Sequence, residues 1–121
     1  MLLVDDDPDT LSMYADWLDH LGFVCARAEC LHEALVEASV AVPDVLVTDL
    51  SLQDGDGLSL LEQLRGNACT RHIPAIALTG WSGGELYERA LQGGFARVLT
   101  KPCLPDRLAA TILELRNGAA V

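Results

Sequence analysis

The side chains of this 121-residue chain that are best suited to chemistry stand where short apolar runs end. They are four carboxylates, one hydroxyl and one ammonium, at Asp5, Asp6, Asp7, Asp49, Thr79 and Lys101. Carboxylates held a few ångströms apart raise one another's pKa or bind a hard divalent cation, and Mg²⁺ accepts carboxylates together with water and phosphate oxygens. Lys101 is the only lysine in the chain. The pattern indicates magnesium and phosphate chemistry if the fold brings these residues together.

Each of these residues also has a purely structural interpretation when it is taken alone. An acid after a strand often caps the next helix, as Asp7 or Asp9 would do before Leu11. Asp49 and Lys101 could form a structural salt bridge, although an acid in so apolar a run costs burial free energy unless something compensates it. The functional interpretation therefore depends on the conjunction of these residues.

Alternating strand and helix patterns supply the elements that must position these side chains. Apolar and β-branched runs predict five strands, at residues 2–4, 23–28, 45–50, 75–79 and 97–100. Apolar residues at three- and four-residue spacing predict a helix after each strand, the last beginning at Pro105 and Asp106. This alternation is typical of a doubly wound α/β fold, in which a five-stranded parallel sheet carries helices on both faces. Such sheets place their sites at the carboxyl ends of the strands.

Composition and charge narrow the functional classes. Half of the residues are hydrophobic, which is enough for one domain over residues 1–121 without disulfides or a structural metal. The net charge of −10 argues against direct nucleic-acid binding and against a membrane surface. The four cysteines form no C-x-x-C pair, and the first apolar run is too short for a signal peptide. We expect a cytoplasmic protein with reduced thiols.

Four segments resemble the receiver domains of two-component response regulators. They are VDDDPD at residues 4–9, PDVLVTDLSLQDGDGLSLL at residues 43–61, IPAIALTG at residues 73–80 and LTKP at residues 99–102. Each segment alone is a weak match, but their order and spacing together are highly specific and span essentially the whole chain. The resemblance implies a flavodoxin-like (βα)5 fold with the strand order 2-1-3-4-5.

The resemblance also implies a function and the roles of the acceptor residues. The domain would be a phosphorylation-dependent switch that takes a phosphoryl group from a phosphohistidine of a histidine kinase or a histidine phosphotransfer domain. It would have no enzymatic activity beyond self-catalysed transfer and autodephosphorylation. Asp49 would accept the phosphoryl group, Thr79 would hydrogen-bond one of its oxygens, and Lys101 would pair with Asp49 and then with the phosphoryl group. The Lys101–Pro102 peptide bond would be cis.

A magnesium site follows from the same resemblance. Asp6 and Asp49 would bind Mg²⁺ directly, Asp5 would act largely through water, and the backbone carbonyl of Ser51 would complete the protein ligands.

Several positions depart from the family pattern. Gln53 replaces the proline usually found four residues after the acceptor, and Val98 replaces the tyrosine or phenylalanine three residues before the lysine. Without that aromatic ring, phosphorylation would be reported by ordering of the loop at residues 79–84. Gly80 leaves room for the phosphoryl group, and Trp81 would either lie over the pocket or pack on a neighbouring element.

Two other functional classes fit part of the pattern. Gln53 and Val98 favour a receiver-like scaffold that is never phosphorylated, although the intact set of acids, threonine and lysine opposes it. A hydrolase of the haloacid dehalogenase type would need a D-x-D-x-T/V motif from Asp5, and Asp9 stands where threonine or valine is required. The position of Met1 almost on the first strand, with Val98, favours a receiver excised from a larger regulator or a hybrid histidine kinase.

Overall fold

The structure is a computed structural model that describes residues 1–80 and 84–118. Trp81 lies outside these residues, so both interpretations of its position stay predictions. The strands are β1 (Leu2–Val4), β2 (Ala26–Ala28), β3 (Leu46–Asp49), β4 (Ser51–Leu52), β5 (Gly55–Asp56), β6 (Ala75–Thr79) and β7 (Arg97–Thr100). The helices are α1 (Pro8–His20), α2 (Leu31–Val40), α3 (Gly57–Arg65), α4 (Gly84–Gln92) and α5 (Pro105–Gly118).

Five strands form one parallel sheet in the order β2-β1-β3-β6-β7. Strands β4 and β5 make a separate antiparallel hairpin, so the main sheet has the predicted order 2-1-3-4-5 when its strands are counted along the chain. The register aligns the carboxyl ends of its central strands. Val4 pairs with Thr48, and Asp49 pairs with Leu78.

Helices cover both faces of the sheet, as the alternating pattern predicts. Buried residues of α1 and α5 pack on one face around strand residues such as Leu3, Val47 and Ile76. Buried residues of α2, α3 and α4 pack on the other face around residues such as Leu46 and Ala77. Over residues 1–80 and 84–118, no helix is both long and apolar enough to cross a lipid bilayer.

Two elements differ from the sequence-based expectation. Strand β2 is shorter than the predicted residues 23–28, because its partner β1 offers only three residues for pairing. Phe23 and Cys25 instead pack against the core on the α1 and α5 side, and Val24 is 83% exposed. The segment after the predicted strand at residues 45–50, where no further strand was predicted, forms the β4–β5 hairpin.

Candidate functional site

The carboxyl ends of four strand segments meet around the Lys101 ammonium. Lys101 Nζ donates hydrogen bonds to Asp5 Oδ2 and to Asp49 Oδ2, each over 2.9 Å. The three side chains are largely buried, with exposed fractions of 5% for Asp5, 14% for Asp49 and 24% for Lys101. Burial alone would lower the pKa of Lys101, but its hydrogen bonds and ion pairs with the two carboxylates outweigh that effect and raise the pKa above its ordinary value. Lys101 is therefore a stable cation at neutral pH.

Backbone amides hold the second oxygen of each carboxylate. The amide of Asp7 donates to Asp5 Oδ1 over 2.9 Å, and the amide of Ser51 donates to Asp49 Oδ1 over 3.0 Å. Each carboxylate is thus oriented by one backbone donor and by the shared ammonium. The site is preorganised because these donors belong to segments that directly follow β1 and β3.

Three carboxylates form a cluster with the donor chemistry that a divalent cation requires. One oxygen from each of Asp5, Asp6 and Asp49 lies within 4.8 Å of the others. Together with Lys101 they leave two uncompensated negative charges, which a doubly charged ion would balance. Asp6 is exposed and can bind an ion from solution. Oxygen ligands of this kind suit Mg²⁺, so the residues fit the predicted metal.

Asp7 does not belong to this cluster. It is the N-cap residue of α1, and it accepts hydrogen bonds from the amide of Asp9 over 3.2 Å and from the hydroxyl of Thr10 over 2.7 Å. The Thr10 hydroxyl, followed by the Asp9 amide, lowers the pKa of Asp7. The capping interpretation is therefore correct for Asp7, and the N-terminal acidic run divides into one cap and two candidate metal ligands.

Thr79 lies at the end of β6, beside the strand that carries Asp49, and it is buried. Its carbonyl oxygen accepts a hydrogen bond of 2.7 Å from the amide of Lys101, which ties the two strand ends together. The Lys101–Pro102 peptide bond is cis, as the resemblance implied. The structure thus brings the predicted hydroxyl, acid and ammonium to one edge of the sheet.

Gly57, the first residue of α3, lies against the strand that carries Asp49. A Cβ atom built on Gly57 would stand 2.7 Å from the carbonyl oxygen of Asp49 and 3.2 Å from Leu50 Cα. Residue types and spacing alone do not predict this contact. Only glycine allows the helix to begin this close to the acceptor strand.

Two further residues, which the sequence does not single out, hold the loops around the site. The Asp54 carboxylate accepts hydrogen bonds from the α2 amides of Leu31 over 2.7 Å and His32 over 3.1 Å. This contact fixes the β4–β5 hairpin to α2. The phenol of Tyr14 donates to the carbonyl of Cys103 over 2.7 Å. Neither contact is encoded in a local pattern, because the partners are 23 and 89 residues apart in the chain.

Comparisons with known proteins agree with this geometry. A family model described as the response regulator receiver domain matches residues 1–113. The polar-differentiation response regulator DivK of Brucella ovis is 30% identical over 119 residues, which cover 98% of this chain and 97% of that protein.

Solved structures share the fold over nearly the full chain. The chemotaxis response regulator CheY4 of Vibrio cholerae superposes with a TM-score of 0.88 at 25% identity, covering 94% of this chain and 95% of that one. The signal receiver domain of a histidine kinase from Syntrophus aciditrophicus superposes with a TM-score of 0.87 at 30% identity, covering 97% and 89%. The chain therefore belongs to the receiver domain family of response regulators, whose members are phosphorylation-dependent signalling switches.

Proposed function

We propose that this receiver domain takes a phosphoryl group from a phosphohistidine onto Asp49, in a magnesium-dependent reaction that it catalyses itself. The donor would be a histidine kinase or a histidine phosphotransfer domain in the cytoplasm. The observation that supports the proposal most directly is the Lys101 ammonium, which lies 2.9 Å from carboxylate oxygens of both Asp5 and Asp49. A largely buried ammonium shared between two acids can move towards new negative charge at either of them.

The reaction needs positioning and charge neutralisation more than further covalent chemistry. The bond from an Asp49 oxygen to phosphorus forms as the bond from phosphorus to the donor's ring nitrogen breaks, and the imidazole keeps the electron pair. The Ser51 amide and Lys101 hold the Asp49 carboxylate in place for this attack. A magnesium ion bound by Asp6, Asp49 and the Ser51 carbonyl, with Asp5 acting largely through water, would neutralise charge on the phosphoryl oxygens.

Lys101 and Thr79 would distinguish the phosphorylated state from the free state. The acyl phosphate replaces a single carboxylate charge with a larger one and adds acceptor oxygens. Lys101 would move from its carboxylate partners towards these oxygens, and the Thr79 hydroxyl would donate to one of them. A full switch between two states needs about 5 kcal/mol of differential stabilisation, and a partial switch needs less.

Val98 makes the route of the signal to a partner different from the aromatic route usual in the family. Its side chain is half-buried and packs against the core on the α2, α3 and α4 side. It has no ring that could change between an inward and an outward position. We therefore propose residues 79–84 as the reporter of phosphorylation, and residues 81–83 of this segment lie outside the described part of the chain.

The test is incubation with acetyl phosphate and Mg²⁺, followed by intact-protein mass spectrometry. We expect a gain of one phosphoryl group, which is lost in Asp49→Asn and when EDTA removes the metal. Asp44→Asn is the matched control, because Asp44 precedes the same strand at its opposite end. A mass gain that survives in Asp49→Asn would refute the assignment. The alternative of a scaffold that is never phosphorylated predicts no gain in the wild type.

A further inference from the structure

A buried hydrogen bond joins α1 to the segment that carries Lys101. The Tyr14 phenol donates to the Cys103 carbonyl over 2.7 Å, and the two residues are 89 positions apart in the chain. The Tyr14 side chain is buried in the core between α1 and α5. Cys103 follows Lys101 by two residues, on the connection from β7 to α5.

We propose that Tyr14 is a positioning residue, which sets the location of the Lys101 ammonium between Asp5 and Asp49 and thereby the rate of phosphoryl transfer to Asp49. The proposal rests on the proposed function of Asp49. It assigns to Tyr14 a role in the reaction without contact to the phosphoryl group.

The connection at residues 101–104 depends on few described hydrogen bonds. Its first residue is held by the bond from the Lys101 amide to the Thr79 carbonyl, and its last by bonds from the amides of Arg107 and Leu108 to the Leu104 carbonyl. Pro102, between these anchors, has no amide hydrogen to donate. The Tyr14 phenol provides the described hydrogen bond to the backbone between the two ends.

Through Tyr14, the helix that begins beside Asp5 also contacts the backbone that follows Lys101. Helix α1 begins directly after the acidic run, and the Asp7 amide at its start donates to the Asp5 carboxylate. The same helix, two turns later, holds the Cys103 carbonyl through Tyr14. One rigid element therefore contacts both Asp5 and the backbone of the Lys101 segment, and the distance between the acid and the ammonium depends on it.

A second contact of α1 supports the same geometry. Trp17, three residues after Tyr14, donates through Nε1 to Asp106 Oδ1 at the start of α5 over 3.1 Å. Residues three apart lie on the same face of a helix. The face of α1 that carries Tyr14 therefore contacts the β7–α5 connection through a buried hydrogen bond to Cys103 and the first turn of α5 through an exposed one to Asp106.

Small displacements of a catalytic group have large kinetic effects. A misplacement of about 1 Å can cost about a hundredfold in rate. The Tyr14→Phe variant keeps the ring in the core and removes only the phenol oxygen. The Cys103 carbonyl then loses its described donor, and the backbone that carries Lys101 is free to shift.

The kinetic test compares phosphorylation by acetyl phosphate in wild type, Tyr14→Phe, Lys101→Met and the double variant. At saturating acetyl phosphate and saturating Mg²⁺ we expect Tyr14→Phe to lower the rate constant by about tenfold, since Tyr14 acts through the position of Lys101. In the Lys101→Met background the same substitution should have almost no further effect. Equal fold losses in both backgrounds, or no loss in the single variant, would overturn the proposal.

Thr70→Val is the matched control, because the Thr70 hydroxyl makes a buried hydrogen bond to the Leu64 carbonyl over 2.6 Å, away from the strand ends that form the site. We expect this variant to lose stability without losing phosphorylation rate. A general effect of removing a buried hydroxyl would instead slow Thr70→Val and Tyr14→Phe alike.

A spectroscopic measurement separates this inference from the proposed function. Lys101 is the only lysine, so labelling lysine with ¹³C at the ε carbon gives one lysine resonance. In Tyr14→Phe this resonance should move towards its position in the unfolded protein, and in Thr70→Val it should stay in place. A wild type that takes up no phosphoryl group would refute the proposed function, whereas an unmoved Lys101 resonance in Tyr14→Phe would refute the positioning role.

Discussion

Substitution of Gly57 by alanine should distort the acceptor strand, because α3 begins in contact with the backbone of that strand. The new Cβ atom would lie 2.7 Å from the Asp49 carbonyl oxygen, and it would also approach Leu50 Cα and Thr48 Cγ2 to 3.2 Å. Two of these three atoms belong to the backbone. They cannot move aside by a change of side-chain rotamer.

The size of the effect follows from these distances. Ordinary contact begins at 3.4 Å, so Gly57 and the Asp49 carbonyl must separate by about 0.7 Å. Overpacking of a well-packed interior costs about 1–3 kcal/mol. An alanine in a helix is otherwise favoured over glycine by about 0.5–1 kcal/mol, which leaves a net loss of up to about 2.5 kcal/mol. The separation displaces Asp49 itself, so we also expect slower phosphorylation.

Gly66→Ala is the matched control for this prediction. Gly66 ends the same helix with φ −77°, and a Cβ atom there would have no neighbour closer than 3.5 Å. Its stability should stay unchanged or rise by up to about 1 kcal/mol, through the lower entropy of the unfolded chain. Urea denaturation and the acetyl phosphate assay on both variants provide the measurement. The steric argument is wrong if Gly57→Ala matches Gly66→Ala in stability and phosphorylation rate.

Lys101, Asp54 and the cysteines provide three further tests. Lys101→Met leaves two largely buried carboxylates without their ammonium, so in EDTA the free energy of unfolding should fall by about 3 kcal/mol, and Mg²⁺ should restore part of it. The pKa of Lys101 is raised in the folded state. The extra stability of the wild type over Lys101→Met should therefore be complete below pH 10.5 and disappear as the pH rises through the folded-state pKa. Urea denaturation at a series of pH values measures this difference. Asp54→Ala should lower the urea midpoint of unfolding at neutral pH. Hydrogen bonds from the first α2 amides hold the pKa of Asp54 below its usual 3.8 in the folded state. The difference in midpoint between wild type and variant should therefore vanish as the pH falls through the folded-state pKa. Burial raises the pKa of the Cys25 thiol to about 11, whereas Cys69 is exposed. Brief alkylation at mildly alkaline pH should therefore modify Cys69 before Cys25. Equal labelling of Cys25 and Cys69 in a peptide map would contradict this expectation.

The main sheet could be predicted from local patterns, because a strand covered by helices on both faces is apolar throughout. The predicted strand at residues 45–50 corresponds to β3 at Leu46–Asp49, and the predicted strand at residues 75–79 coincides with β6. The limits of β2 could not be predicted in this way. An edge strand extends only as far as its partner, and the three residues of β1 end the pairing at Ala26 and Ala28.

The candidate site could be predicted for a related reason. Parallel strands end at one edge of the sheet, so Asp5, Asp49 and Lys101 had to approach one another once the strands were recognised. Their separate roles could not be read from types and spacing alone. In the structure Asp5 is buried against Lys101, whereas the neighbouring Asp6 is exposed and Asp7 caps α1.

The sequence by itself determined the parallel sheet and the set of acids, hydroxyl and ammonium at its carboxyl edge, because strand periodicity and strand-end position are local properties. Only the tertiary structure decided how the loops around that edge are held. Asp54 caps a helix that begins 23 residues earlier, and Tyr14 reaches a carbonyl 89 residues later. Glycine is required at position 57 because the backbone of a neighbouring strand lies against it. Such contacts depend on how the packed elements meet, and no propensity within a short segment encodes them.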